Sequence, residues 1–82
     1  MPTVKKSSIS LKAVETLADE VISEGAAEYT KILNKLLQAE PGTDRHRSLL
    51  CDLSVAAHIL TTKAATAGEA IEEYLDSLPD DD

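Results

Sequence analysis

Side chains that could do chemistry gather in one stretch of the chain, residues 46–58. It holds His46, Cys51 and His58, whose nitrogen and sulfur atoms are ligand types that zinc prefers. On a helix, Cys51 and His58 would stand about 10 Å apart along the axis, whereas zinc ligands lie about 2 Å from one point. We therefore expect no metal site and no cofactor. Cys51 is expected to be a small buried side chain.

The same stretch contains the residue types of a nucleophilic triad. Ser54 and His58 are one helical turn apart, and Asp52 lies nearby in the sequence. Asp52 would point to a different side of the helix from His58, and the amides inside a helix are not free to stabilise an oxyanion. The pattern therefore favours a protein that is not an enzyme.

One enzymatic alternative remains open at the start of this stretch. The segment Ser48-Leu49-Leu50-Cys51-Asp52 resembles the Ser-Gln-x-Leu-Asp motif of a family of small helical-hairpin phosphatases. Ser48 and Asp52 match that motif, whereas Leu49 and Cys51 stand where the family has Gln and Leu. The resemblance implies a regulatory phosphatase acting through Ser48 and Asp52.

Charge and composition exclude several kinds of partner. The 82 residues include 15 acids and 8 bases, a formal net charge of −7. Free nucleic acid and an anionic membrane surface are both bound through basic side chains, so neither is an expected partner. With one cysteine the chain cannot form an internal disulfide, and it shows no signal-like apolar segment at its start. We expect a cytoplasmic protein, although a substrate of a secretion system without a cleaved signal would look the same.

The elements that would position these side chains are organised around residues 39–44. Pro41 disfavours helix at the preceding residue, and Gly42 accepts a positive φ, so the pair suits a tight turn. Thr43 and Asp44 can cap a new helix. One helix should end near Gln38 and another begin near Arg45, which predicts an all-α antiparallel hairpin of two long helices.

Apolar residues in both predicted helices recur at steps of four and three, which is a heptad pattern. In the first helix, the stripe consists of Ala18, Ile22, Gly25, Tyr29, Ile32 and Leu36. In the second helix, it consists of His46, Leu50, Leu53, Ala57, Leu60, Ala64, Ala67, Ile71, Tyr74 and Leu78. Folding at the turn pairs Gly25 with Ala57, so that small side chains face small ones.

A short third helix is the alternative for the end of the chain. Thr66 and Glu69 have the spacing of a capping box, in which the threonine side chain begins a new helix. The unbroken heptad pattern favours one continuous helix from about residue 45 to residue 78. We divide the chain into a flexible N-terminus (1–8), one hairpin domain (9–78) and an acidic tail (79–82).

Apolar residues outside these stripes predict a binding surface. They are Leu33, Leu37, Leu49, Ala56 and Ile59. Nothing else in a two-helix hairpin would cover them, and exposed contiguous apolar surface usually marks an interface. The expected partners are a second copy, which would form a four-helix bundle, or another helical protein.

The sequence thus leads to a non-enzymatic protein–protein interaction module, of an adaptor, dimerisation or chaperone-like kind. The alternatives are the phosphatase acting through Ser48 and Asp52 and a polymerising structural subunit of a secretion apparatus.

Overall fold

The protein is all-helical in a computed structural model that describes residues 9–79. The first arm of the structure consists of α1 (Leu11–Glu20), a π-helical segment (Val21–Ala26) and α2 (Ala27–Gln38). A short turn connects it to α3 (Asp44–Ser77). The described residues contain no strand, so the predicted all-α class is confirmed.

Side-chain oxygens cap the first turn of both helices. The Ser10 hydroxyl accepts a hydrogen bond of 3.1 Å from the backbone N–H of Ala13. At the start of α3, the Thr43 hydroxyl accepts one of 3.1 Å from the N–H of His46. Each bond satisfies one of the amides that a helix leaves free at its N-terminus.

The turn has the conformation that its residues predict. Gly42 has a φ of +88°, a value that favours glycine. The Thr43 hydroxyl donates a hydrogen bond of 2.7 Å to the carbonyl oxygen of Glu40, which ties the turn to the cap of α3. The first arm ends at Gln38, as expected, and α3 begins one residue before the predicted Arg45.

Helix α3 runs for 34 residues without a break. Thr66 lies inside it, so the capping box is not used and a short third helix is absent from residues 44–77. Leu78 is the C-cap, which matches the predicted end. The flexible N-terminus (1–8) and most of the acidic tail lie outside the described residues.

The first arm packs along α3 through small side chains. All three segments of the arm contact α3, and the molecule measures 65 × 20 × 15 Å. A helix with its side chains is about 10–12 Å across, so the cross-section holds two helices. The buried hydrophobic residues are Val14, Leu49, Ala56, Ala67 and Ala70. Since no side chain in the described part is fully buried, the core is thin.

The π-helical segment shifts the apolar stripe of the first arm by one residue. The backbone N–H of Ala27 donates to the carbonyl of Ile22, five residues back, and this longer turn holds one extra residue. Ahead of it, Leu17 and Val21 are half-buried against α3, whereas Ala18 and Ile22 are exposed. The predicted stripe is therefore correct from Gly25 onward and wrong before it.

The stripe of α3 that contacts the first arm also differs from the predicted one. We call it the inner stripe, and it consists of His46, Leu49, Leu53, Ala56, Leu60, Lys63, Ala67, Ala70 and Tyr74, all buried or half-buried. The inner stripe shares every second residue of the predicted stripe: His46, Leu53, Leu60, Ala67 and Tyr74. The contacting side is thus rotated by about 50° from the predicted side, half of the angle between neighbouring residues.

This rotation changes the partner of Gly25. A Cβ atom at Gly25 would lie 3.0 Å from Leu60 Cδ1 and 3.4 Å from Leu60 Cα, the two closest atoms. The predicted pairing with Ala57 is therefore wrong. The absent side chain of Gly25 makes room for a large residue, which lets the two helices approach closely at this point.

Candidate functional site

The residues suggested by metal and triad chemistry do not converge. His46 is half-buried at the start of α3, whereas Cys51 and His58 are exposed further along the helix. The expectation that Cys51 is buried is therefore wrong. Among residues 9–79, no group of three His, Cys, Asp or Glu side chains could hold a metal ion.

The two residues of the phosphatase alternative are both accessible. Ser48 and Asp52 are exposed one turn apart near the start of α3. Asp52 lines an open groove beside the first arm, where Lys31 and Lys35 are also found. These positions do not test catalysis, so this alternative remains a prediction.

A second heptad stripe of uncharged residues lies next to the inner stripe on α3. We call it the outer stripe, and it consists of Leu50, Ser54, Ala57, Thr61, Ala64, Gly68, Ile71 and Leu75, followed by Leu78 at the C-cap. Steps of four and three place these residues along one side of the helix. None is charged and none is buried.

The large side chains of the outer stripe are well exposed. The exposed fraction is 47% for Leu50, 39% for Ile71, 58% for Leu75 and 45% for Leu78. A scattered exposed leucine is ordinary, but Ile71, Leu75 and Leu78 follow one another and form an apolar patch at the C-terminal end of the stripe. Leu50 lies at the other end, beyond a run of small uncharged residues. The stripe predicted from the sequence includes three of these four residues, Leu50, Ile71 and Leu78, and places them at the contact between the helices.

The opposite flank of the helix pair forms a groove of different character. We call it the charged groove, and its charged lining residues are Glu28, Lys31, Lys35 and Asp52. Val55 and Ile59, with exposed fractions of 57% and 46%, are the large apolar side chains on its α3 wall. Its apolar surface is therefore interrupted by charge, unlike that of the outer stripe.

The predicted partner-binding residues do not form one surface. Leu49 and Ala56 are 7% and 3% exposed, because they pack against the first arm. The expectation that nothing in the chain covers them is wrong. Ile59 lines the charged groove, and Leu49 and Ala56 form the floor of that groove.

Leu33 and Leu37 lie on the other flank of the first arm. Successive helical residues are 100° apart, which places Leu33 about 160° around the helix from the groove residue Lys35. Leu33 is half-buried and Leu37 is 73% exposed. Because Leu50 starts the outer stripe near the same end of the molecule, the two leucines extend that uncharged surface onto the first arm.

One ion pair connects the two arms near the middle of the molecule. Lys63 Nζ lies 3.2 Å from Glu24 Oε1, with side-chain exposed fractions of 30% and 57%. Lys63 occupies an inner-stripe position, so its aliphatic stem packs between the helices while its charged end reaches the surface. The pair aligns the two arms beside Gly25.

Comparison of the chain with protein-family models, with curated proteins and with solved structures gives no match. No helix in the described residues is long and apolar enough to cross a membrane.

Proposed function

We propose that this chain is a non-enzymatic protein–protein interaction module of the cytoplasm. In this proposal the two arms form an antiparallel helical hairpin, and the outer stripe together with Leu33 and Leu37 holds another helix. The observation that carries the proposal is the length of this stripe, from Leu50 to Leu78, with no charged side chain along it.

The thin core supports an association that buries more apolar surface. Three of the five buried hydrophobic residues are alanines, and Leu37 and Leu75 are more than half exposed. Fully burying a leucine side chain contributes about 1.5–3 kcal/mol, so covering these residues would add more stability than any alanine of the core. A four-helix bundle is the arrangement that covers such a flank on each hairpin.

The exposed thiol supports the proposed compartment. Cys51 is the one cysteine of the chain and is exposed on α3. A free thiol in this position is typical of a reducing environment, where thiols are kept from forming disulfides.

A pair of charge substitutions tests the proposed surface. Ile71→Glu puts a carboxylate in the outer stripe, and Val55→Glu puts the same group at a more exposed position in the charged groove. We expect both variants to keep the helical circular dichroism of the wild type at low concentration. Association should be lost only in Ile71→Glu, whether the wild type associates with itself or with a partner protein.

Sedimentation velocity measures this difference on the purified chain and on its mixture with any partner recovered with it. Equal association of the wild type and Ile71→Glu would overturn the proposal. Loss of association in Val55→Glu alone would move the interface to the charged groove.

A further inference from the structure

We propose that the occupant of the outer stripe is a second copy of this chain, with the two α3 helices antiparallel about a two-fold axis near Ala64. The inference rests on the proposed function and adds to it the identity of the partner, the orientation and the axis. The side-chain sizes along the stripe and the charges at its two ends carry it.

The sizes of the outer-stripe residues are self-complementary about Ala64. Leu50 and Leu75 stand near the two ends, and the residues between Ser54 and Gly68 are all small. An antiparallel copy centred on Ala64 aligns residue 50 with residue 78, so each Leu50 lies beside Leu78 and within one helical turn of Leu75 of the other copy. Small residues then meet small ones at the middle, which lets the helices approach closely there.

Ile71 is a further large residue of the stripe, and its side chain must also fit against the second copy. In the same antiparallel alignment it falls beside Ser54 and Ala57 of the second copy, where the small side chains leave space. Each contact occurs twice, as a two-fold interface requires. In a parallel pair, Ile71 would meet Ile71 and the small residues would also meet each other, so side-chain size supports self-association and charge decides the orientation.

Charge at the two ends of the molecule distinguishes the two orientations. Residues 69–82 contain seven acids and no base, whereas residues 31–47 around the turn contain four bases and two acids. An antiparallel pair places the acidic end of each copy over the turn end of the other. A parallel pair would bring two acidic ends together, and their repulsion acts over a Debye length of about 8–10 Å.

The stripe extends along most of α3. From residue 50 to residue 78 it extends about 42 Å along α3, at 1.5 Å per residue. Leu33 and Leu37 widen it at the turn end, where the C-terminal leucines of the second copy would lie. The charged groove offers a shorter apolar surface, interrupted by lysine and acidic side chains.

Crosslinking of single cysteines tests the axis and the orientation. In a Cys51→Ser background, Ala64→Cys places one thiol near the proposed axis, so a short bis-maleimide should join two copies. Leu50→Cys should give no dimer with itself, because the two thiols would be about 42 Å apart. A mixture of Leu50→Cys and Leu75→Cys chains should give the mixed dimer, identified by mass spectrometry.

Thr62→Cys is the matched control: Thr62 is exposed and lies beside Ile59, on the side of α3 away from the outer stripe, so both helices of the pair would stand between the two thiols. Efficient Leu50→Cys self-crosslinking would overturn the antiparallel orientation, and efficient Thr62→Cys crosslinking would overturn the choice of surface. A wild-type chain that stays monomeric at all concentrations, with no crosslink at Ala64→Cys, would overturn the second copy as partner. The proposed function would then still hold if another protein binds the wild type and not Ile71→Glu.

Discussion

The inner and outer stripes of α3 have the same heptad spacing and lie side by side on one helix, yet they differ in charge and burial. The inner stripe includes Lys63 and His46 and packs against the first arm. The outer stripe has no charged member and no buried one, and its large side chains are exposed. The contact between the arms therefore accommodates the polar residues His46 and Lys63. The outer stripe, which has no charged residue, is not covered by the first arm.

The difference also shows how the first arm selects its contact side. Gly25 and the small inner-stripe residues Ala56, Ala67 and Ala70 allow close approach between the helices. Leu49, Leu53 and Leu60 alternate with these small residues and supply the large side chains of the contact. The contact side of α3 therefore mixes small and large residues along its length, whereas the outer stripe carries its large residues only towards its two ends.

The largest expected effect comes from one substitution placed in each stripe. Ala56→Glu buries a carboxylate at a position that is 3% exposed, so the free energy of unfolding should fall by about 3 kcal/mol or more. Ala64→Glu makes the same change at an exposed outer-stripe position. Its intrinsic stability should stay close to that of the wild type under conditions where both are monomeric.

Urea titration followed by circular dichroism at low protein concentration measures both free energies. If Ala64→Glu unfolded the monomer as strongly as Ala56→Glu, the assignment of the two stripes would be wrong.

The second largest effect is expected at the closest contact of the arms. Gly25→Leu should lower the free energy of unfolding by about 1–3 kcal/mol, because Leu60 already occupies the space beside Gly25. Thermal melting measures the change. A melting temperature equal to that of the wild type would refute the contact between Gly25 and Leu60.

A substitution at Gly68 of the outer stripe should raise the free energy of unfolding, whereas Gly25→Leu should lower it. A Cβ atom added there would meet no atom within 4 Å, so Gly68→Ala introduces no clash in the monomer. Alanine favours helix by about 1 kcal/mol over glycine, and the monomer should gain nearly that amount. The same urea titration checks it, and a loss of stability would show that this part of the outer stripe is packed within the chain.

The smallest effect is expected for the ion pair between Glu24 and Lys63. Both side chains are partly exposed, and exposed pairs contribute about 0–1 kcal/mol. A double-mutant cycle with Glu24→Gln and Lys63→Gln should give a coupling energy in that range that decreases as salt is added. A coupling that does not change with salt would mean that the pair is shielded from solvent.

The sequence predicts the elements of this fold because local chemistry determines them. Pro41 and Gly42 stop the first arm, Thr43 caps α3, and the heptad pattern continues past Thr66 without a break. The π-helical segment has no such signal. Both Ala18 and its neighbour Leu17 continue the apolar spacing from Gly25, so periodicity alone cannot show the shift.

The candidate surface is less predictable, since it depends on the rotation of α3 relative to the first arm. The inner and outer stripes are offset by one residue, or about 100° around the helix. The predicted stripe alternates between residues of the inner stripe and residues of the outer one. The sequence therefore predicts that Leu49 and Ala56 contact a partner, whereas the first arm covers them. It predicts that Leu50 and Ile71 contact the first arm, whereas both are exposed.

Sedimentation equilibrium of the wild type beside Ala64→Glu shows whether two copies associate through the outer stripe. If they do, the wild type should have twice the mass of the 8.8 kDa chain, and Ala64→Glu should be a folded monomer. A wild-type dimer that Ala64→Glu leaves intact would contradict it, because the dimer would then use a surface other than the outer stripe. A wild type that stays monomeric at every concentration would contradict the second copy as occupant.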